Sequence, residues 1–262
     1  MDIWESNSRS SAVTPHVCST TGPTKCSGKD CGDDASGERF EGLCDKDGCD
    51  FNPYRMGAKN FFGTSFSLFF SNTHARAHTH THIGTGGSFD VDTTKPFQVV
   101  TQFITSDGTD SGDLVEIKRI FVQNGKILEN PNATLSGLEK FNSVTDEFCN
   151  AQKTAFGDQN IFEKKGGLKA LGETLDRGMV LVMSLWDDHA VDMLWLDSKY
   201  PVNGTKPGTE RGPCDTSSGK PEDVESQSPD ATVVYGDIRV GTIGSTFKPS
   251  PTPGPSPTPT PT

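Results

Sequence analysis

The first residues of the chain could carry out acid/base chemistry. Met1-Asp2-Ile3-Trp4-Glu5 places two carboxylates on either side of a tryptophan. Paired carboxylates with different pKa values are what glycoside hydrolysis needs, because one acts as nucleophile or base while the other stays protonated as acid. The Asp-x-x-Glu spacing alone is unspecific, since two solvated surface acids would produce it equally well. The pair is therefore a candidate that needs support from the rest of the chain.

An odd offset separates the two carboxylates along the strand that should carry them. Successive side chains of a strand point to opposite faces, so Glu5, three residues after Asp2, would face away from it on a regular strand. Both side chains reach one cleft only if a bulge or a strand end turns the backbone between them. A shared site therefore requires an irregularity between Asp2 and Glu5.

Composition limits the classes of protein to consider. The 262 residues carry 24 basic and 35 acidic side chains, a formal net charge of -11, which argues against nucleic acid as the partner. No stretch approaches the roughly 20 apolar residues that span a bilayer, so we expect no membrane segment. The first residues lack the basic start and apolar run of a signal peptide. The 28 glycines and 17 prolines favour a turn-rich β protein.

Five of the seven cysteines lie close together in a polar segment. That segment has too few apolar residues to order itself by burial, and disulfides, which are typical of secreted chains, would hold it. A zinc site at Cys26-x4-Cys31 and Cys44-x4-Cys49 is the alternative, although zinc knuckles use tighter pairs. The odd count leaves one cysteine unpaired, and we interpret its partner as lost with an upstream part of the protein. The clustered cysteines are Cys18, Cys26, Cys31, Cys44 and Cys49, and the distant ones are Cys149 and Cys214.

Two further features agree with secretion. Asn132-Ala133-Thr134 and Asn203-Gly204-Thr205 are sequons for N-glycosylation. Residues 249–262 alternate proline with Ser, Thr or Gly, which favours an extended polyproline II stalk. Such stalks often join a catalytic domain to another module. We therefore divide the chain into a domain at 1–245 and a linker at 246–262, in an extracellular protein.

Strand signals dominate the domain. Residues 97–103 and 116–122 are β-branched and aromatic runs, and Asn124-Gly125 predicts a hairpin after the second. One helix is predicted at 168–176, ended by Gly178. Many strands joined by long connections indicate an all-β sandwich or jelly roll of antiparallel sheets. Further strands are predicted at 179–186, an apolar run that should be buried on both faces, and at 191–196 and 231–240.

Residues 64–84 differ from the surrounding chain and contain four of the six histidines. His78, His80 and His82 alternate as the ligands of a metal-binding strand would. Alternating His and Thr is also what a CA dinucleotide repeat encodes, and removing 64–84 leaves a smooth turn into a strand. We favour this second interpretation, a translated intron that forms a surface loop or is disordered. The sequence thus predicts no metal site and no cofactor.

In combination, several motifs resemble glycoside hydrolase family 7, the fungal cellulases that attack β-1,4-glucan. The resemblance runs from Met1 to about Gly244, except for residues 64–84. The start of the chain, Met1-Asp2-Ile3-Trp4-Glu5-Ser6-Asn7-Ser8, resembles the family's catalytic strand, which reads Glu-x-Asp-x-x-Glu. Further matching segments are 14–18, 44–55, 99–103, 178–188, 193–198 and 224–229.

The resemblance implies a role for each candidate near the start. Glu5 would be the acid/base, Asp2 the carboxylate that hydrogen-bonds and tunes the nucleophile, and His16 the active-site histidine near the acid/base. The position of the nucleophile lies immediately before Met1. Double displacement with retention needs two carboxyl groups about 5 to 5.5 Å apart, so the chain as given could not complete it. We therefore interpret Met1 as an internal methionine and expect the chain alone to be inactive.

The resemblance also implies where glucan binds. A neutral, flat sugar polymer needs aromatic platforms and polar groups for its hydroxyls. Trp186 and Trp195 match sugar-stacking tryptophans on either side of the cleavage point, although without the resemblance both would be taken as core residues. The charged candidates, taken singly, could be ordinary surface charges. The positions that match those binding the departing disaccharide are Thr14, Arg39, Asp47, Asp50 and Arg211.

The same resemblance implies a concanavalin-like jelly-roll sandwich of two antiparallel sheets. Its disulfides would join Cys18 to Cys44, Cys26 to Cys31 and Cys49 to Cys149, leaving Cys214 alone. The loops at 26–44 and 200–214 are shortened or missing in the family's endoglucanases, so we predict a processive, monomeric cellobiohydrolase acting on cellulose.

Three alternatives to an active cellobiohydrolase stay open. One is an endo-acting glucanase of the same family. Another is a lectin-like sandwich or pseudoenzyme that binds glucan without cutting it. The third is a chain that does not fold alone, because half of a sandwich exposes strand edges and an apolar face. For such a chain we expect aggregation on expression.

Overall fold

Three small sheets and a set of short helices make up the computed structural model, which describes residues 1–32, 39–65 and 88–248. Most of segment 64–84 and of the linker 246–262 lies outside the described residues. None of the helices in those ranges is long and apolar enough to cross a membrane. The strands are β1 Asp2–Ser6, β2 Ser11–Thr14, β3 Phe62–Gly63, β4 Val91–Asp92, β5 Gln98–Thr105, β6 Leu114–Gln123 and β7 Lys126–Glu129. The helices are α1 Asp146–Phe156, α2 Ile161–Lys164, α3 Gly167–Asp176, α4 Leu194–Asp197 and α5 Pro221–Gln227, with a 3₁₀ turn at Gly28–Cys31.

The largest sheet is antiparallel, with the strand order β5-β6-β7. It confirms the strands predicted at 97–103 and 116–122. The predicted hairpin is also present: Asn124 and Gly125 both have positive φ, 52° and 76°, and Gln123 pairs with Lys126. Positive φ at both central residues matches the right-handed twist of the flanking strands. β1 pairs with β2 in a separate antiparallel hairpin, and β3 with β4 in a short parallel pair.

The main core lies between β6 and the helices. Ile117 on β6, Phe148 on α1 and Leu168 on α3 are each 0% exposed and belong to one apolar cluster. α3 confirms the helix predicted at 168–176. α1 was not predicted, although its start has a signal: the Thr145 side chain accepts a hydrogen bond from the Phe148 backbone N–H at 3.0 Å.

Three disulfides hold the polar segment, with the pairings that the resemblance implies. They join Cys18 to Cys44, Cys26 to Cys31 and Cys49 to Cys149, and Cys214 is free. The zinc alternative is wrong, because every sulfur it requires is oxidised. The Cys49–Cys149 bond is completely buried and closes a sequence separation of 100 residues, so it fixes the strand region to α1.

The strands predicted at 179–186 and 231–240 are absent. Both segments are irregular and exposed, with Val180 88% and Val240 99% accessible. Apolar sequence makes a strand only when a neighbour completes its backbone hydrogen bonds, and no described residue pairs with either segment. The predicted burial of 179–186 is therefore also wrong in this chain.

The strand predicted at 191–196 is replaced by a turn followed by α4. The Asp188 carboxylate accepts hydrogen bonds from the backbone N–H groups of Ala190, Val191 and Met193, at 2.9, 3.2 and 3.2 Å. An aspartate side chain that accepts hydrogen bonds from nearby backbone N–H groups competes with the hydrogen bonds of a β-sheet for those groups. The hydrogen bonds of Asp188 thus favour a turn where the apolar run at 191–196 predicted a strand.

The exposed segment 179–186 predicts self-association of the chain. Val180→Lys with Val182→Lys should lower the bound fraction of the dye ANS and the amount of oligomer, because these side chains are 88% and 77% exposed. The measurements are dye fluorescence and sedimentation velocity over a concentration series. Val115→Lys with Ile127→Lys adds the same charge on the large sheet and should have little effect; equal improvement by both pairs would contradict an apolar cause.

Candidate active site

The β1–β2 hairpin holds the two candidate carboxylates. Asp2 pairs with Thr14 and Glu5 pairs with Ala12, so the register shifts by one residue between the two positions. This irregularity is the one that a shared site requires. A bulge leaves one extra residue on one strand and turns the side chains that follow it. Asp2 and Glu5 can therefore act on one another in spite of their odd spacing.

Glu5 is the carboxyl group of the pair whose pKa is raised. Burial and the neighbouring charge of Asp2 raise the pKa of Glu5 to about 7, against a partly opposing hydrogen bond from Thr14. The Thr14 hydroxyl donates that bond to Glu5 Oε2 at 3.0 Å. Below neutral pH Glu5 is thus mainly protonated, as a general acid must be. Thr14, expected at the product side, contacts the acid/base candidate directly.

Asp2 has the opposite environment. His16 Nε2 lies 2.7 Å from Asp2 Oδ2, and this hydrogen bond lowers the pKa of Asp2 below its usual value. Burial lowers the pKa of His16, but the hydrogen bond and charge of Asp2 outweigh it and the net pKa is raised. His16 Nδ1 lies 2.9 Å from the Asp45 carbonyl oxygen, which can only accept, so Nδ1 carries a proton. The arrangement favours an imidazolium beside an ionised Asp2.

A glycine that the sequence reasoning did not single out allows this contact. Gly48 has φ +66°, and a Cβ there would lie 2.5 Å from Thr14 Cγ2 and 2.9 Å from His16 Cε1. Any larger residue would displace both side chains that bond the carboxylates. The Asp47-Gly48 dipeptide, a common turn signal, was the available clue.

The structure brings part of the predicted product site close to His16. Arg39 Nε and Nη2 lie 2.8 and 2.7 Å from Asp47 Oδ1. The Asp47 backbone N–H donates to Asp45 Oδ1 at 3.1 Å, and Asp45 is the residue whose carbonyl binds His16. Arg39 and Asp47 thus form an ion pair, which is joined to His16 through Asp45.

Asp50 and Arg211 lie deeper. Asp50 forms an ion pair with Arg55, and Arg211 Nη1 is 3.9 Å from Asp50 Oδ2. Burial raises the pKa of Asp50, but the charges of Arg55 and Arg211 outweigh it and the net pKa is lowered. Asp50 therefore serves as a buried counter-ion here. Arg55, only five residues away in the sequence, was missed as its partner.

The two tryptophans contact each other. The rings of Trp186 and Trp195 are stacked, with centroids 6.3 Å apart and an interplanar angle of 19°. Trp195 Nε1 donates to Asp188 Oδ2 at 3.0 Å, and Trp186 is 54% exposed. They form a single accessible aromatic surface, whereas the resemblance implies two platforms on either side of a cleavage point.

A buried amide joins these parts. Asn52 Nδ2 lies 2.9 Å from Ser10 Oγ beside β2, 3.1 Å from the Leu196 carbonyl on α4, and 2.9 Å from the Arg211 carbonyl. Asn7 Nδ2 adds a bond of 2.7 Å to Asp197 Oδ2. The carboxylate hairpin is thus fixed to the helix that carries Trp195. Neither asparagine could be identified from sequence pattern alone.

Both sequons lie on the surface. The Asn132 and Asn203 side chains are exposed. Exposure is a requirement for glycosylation, so both positions satisfy it.

The sequence matches the family described as glycosyl hydrolase family 7 over residues 1–74 and 70–247. A family 7 cellobiohydrolase from Daphnia pulex is similar in structure, with TM-score 0.77 and 47% identity over 87% of this chain and 47% of that chain. A cellobiohydrolase from Melanocarpus albomyces complexed with cellotetraose has TM-score 0.77 and 40% identity, over 94% and 50%. A double mutant of the Humicola insolens endocellulase EGI has TM-score 0.73 and 36% identity, over 95% and 51%. The chain therefore spans about half the length of these structures.

The site predicts opposite effects of two substitutions on the pKa of Glu5. Asp2→Asn should lower it, because the neighbouring negative charge is lost, and Thr14→Val should raise it, because the charged form loses a donor. The measurement is a ¹³C NMR titration of the labelled Glu5 carboxyl group at low protein concentration. A Glu5 pKa near 4.5 in the unsubstituted chain would contradict the assigned environment.

Proposed function

Because the chain belongs to glycosyl hydrolase family 7, we propose that it carries the acid/base side of a site that hydrolyses β-1,4-glucosidic bonds of cellulose with retention of configuration. The observation that carries this proposal is the environment of Glu5. Its pKa of about 7, beside an Asp2 whose pKa is lowered, divides two close carboxyl groups into a proton donor and an anion.

Each residue of the pair has a distinct role in this mechanism. Glu5 gives its proton to the glycosidic oxygen as the bond to the sugar breaks, and later takes a proton from the attacking water. Asp2 stays ionised through its bond with His16, and its charge keeps Glu5 protonated before the glycosidic bond breaks. Because an ionised carboxylate can only accept hydrogen bonds, Asp2 would tune the neighbouring nucleophile through its charge. His16 positions Asp2 through its two ring nitrogens.

The nucleophile is a carboxylate two residues before Asp2 in the family pattern, a position outside the 262-residue sequence. Residues two apart on a strand share a face, so this group would lie beside Asp2. It attacks the anomeric carbon, forms a covalent glycosyl intermediate and leaves when water attacks. We propose that the chain alone binds but does not hydrolyse glucan.

Glucan is held by the aromatic surface and by the charged groups. Trp186 and Trp195 offer ring faces to the sugar, and the similar Melanocarpus albomyces enzyme was solved complexed with cellotetraose. The guanidinium groups of Arg39 and Arg211 suit vicinal hydroxyls of the departing disaccharide. Asp47 and Asp50 hold these two arginines in place.

We further assign the chain to the exo-acting, cellobiose-releasing group. Relatives of both kinds, cellobiohydrolases and an endocellulase, are similar in structure. The loops at 26–44 and 200–214, present here, would roof a cleft into a tunnel that favours processive action. The same proposal includes a jelly-roll sandwich for the whole domain, and a secreted, glycosylated monomer.

The test uses a protein in which the upstream half of a family 7 domain precedes Asp2. It should release cellobiose from cellulose, and Glu5→Gln should lower the rate by about 10²- to 10⁴-fold, the usual contribution of a positioned acid/base. Glu173→Gln, on the exposed face of α3, is the matched control and should keep full activity. Full activity of Glu5→Gln would refute the acid/base role. Glucan binding without hydrolysis in the restored protein would favour the non-catalytic, lectin-like alternative.

Product analysis separates exo from endo action in the same protein. We expect cellobiose to dominate the soluble products, with few new reducing ends on the insoluble cellulose. Chromatography and reducing-end assays on both fractions measure this ratio. Many insoluble reducing ends early in the reaction would instead indicate an endoglucanase.

A further inference from the structure

Three metal-binding side chains meet where the loop after Trp186 approaches α5. Asp187, His189 and Glu225 each offer one ligand atom, and these atoms all lie within 4.8 Å of one another. The set combines one imidazole nitrogen with two carboxylate oxygens, ligands that suit zinc and other divalent transition metals. We propose that these three residues bind such a metal ion.

The distances around His189 Nε2 fit the spacing of ligand atoms around a shared ion. His189 Nε2 lies 3.5 Å from Asp187 Oδ1 and 3.2 Å from Glu225 Oε1. Two ligand atoms of a tetrahedral zinc ion, each about 2.0 to 2.1 Å from the metal, are roughly 3.3 Å apart. N–H···O hydrogen bonds span about 2.7 to 3.2 Å, so the Asp187 distance exceeds that range and the Glu225 distance lies at its upper end. The imidazole therefore has the spacing of a co-ligand with respect to both carboxylates.

The backbone around the ligands is already ordered. Asp188 lies between two of the ligands in the sequence. Its carboxylate accepts hydrogen bonds from the backbone N–H groups of the following turn and from Trp195 Nε1, the last at 3.0 Å. Its carboxylate consequently fixes the loop and leaves Asp187 and His189 to bind the ion. Glu225 comes from α5, a regular helix that begins with a proline. A site prepared in this way loses little conformational entropy when the ion binds.

The site is accessible to solvent. The side chains of His189, Glu225 and Asp187 are 71%, 60% and 25% exposed, so the ion can enter and water can complete its coordination.

Binding would connect the loop to α5 next to the aromatic surface. Trp186 directly precedes Asp187, so an ion that joins Asp187 to Glu225 also restrains the backbone of that tryptophan. Metal binding at these residues does not depend on the hydrolytic function. Tryptophan fluorescence provides a local signal for it.

The test is a titration of the full chain with zinc chloride at neutral pH. It uses a background in which His74, His78, His80 and His82 are replaced by alanine, so that the alternating histidines cannot bind the added metal. Calorimetry measures stoichiometry and affinity, and fluorescence at low protein concentration reports on the tryptophans. Far-UV circular dichroism verifies that each variant keeps its secondary structure.

One zinc ion should bind per chain and alter the tryptophan emission. His189→Ala and Glu225→Gln should each weaken binding about tenfold or more, since each removes a ligand. Glu222→Gln, on the same helix but outside the ligand set, should bind zinc as the background does. Absence of zinc binding by the background chain, or undiminished binding by His189→Ala, would overturn the proposal.

Discussion

The one-residue shift in the β1–β2 hairpin is the constraint on which the candidate site depends. On a regular strand the Glu5 side chain would point away from Asp2. With the shift, the two groups are close enough for the charge of Asp2 to raise the pKa of Glu5. The unequal acidities arise because His16 supplies a positive partner to one carboxyl group, whereas the other is buried with only a hydroxyl donor. The register shift in the backbone thus contributes directly to the difference between the pKa values of Asp2 and Glu5.

A second level of organisation is the set of buried polar groups that hold distant segments together. Asn52 joins the strand hairpin to α4 and to the backbone of Arg211, and the Cys49–Cys149 disulfide ties the same region to α1. A buried amide left without partners costs about 1 to 3 kcal/mol, so these contacts specify one arrangement. The amides of Asn52 and Asn7 consequently place α4, which carries Trp195, relative to the carboxylate hairpin.

The exposed apolar segments place a limit on what this chain does by itself. Segments 179–186 and 231–240 have the composition of strands but no strand neighbours in the described part of the chain. The chain also spans about half the length of the solved structures it matches. The apolar side chains therefore suit a sheet more extensive than the described residues form.

The sequence by itself determined the family, the disulfide pairing implied by it, the two long strands, the Asn124-Gly125 hairpin and the helix at 168–176, because these follow from local composition and specific motifs. Tertiary structure decided what depends on neighbours. The run at 179–186 lacks a strand partner, and Asp188 captures the backbone where a strand was predicted. The partnership of His189 with Glu225 likewise joins residues that no local pattern connects. Periodicity reports which side chains prefer burial, but pairing, register and pKa depend on groups brought together only by folding.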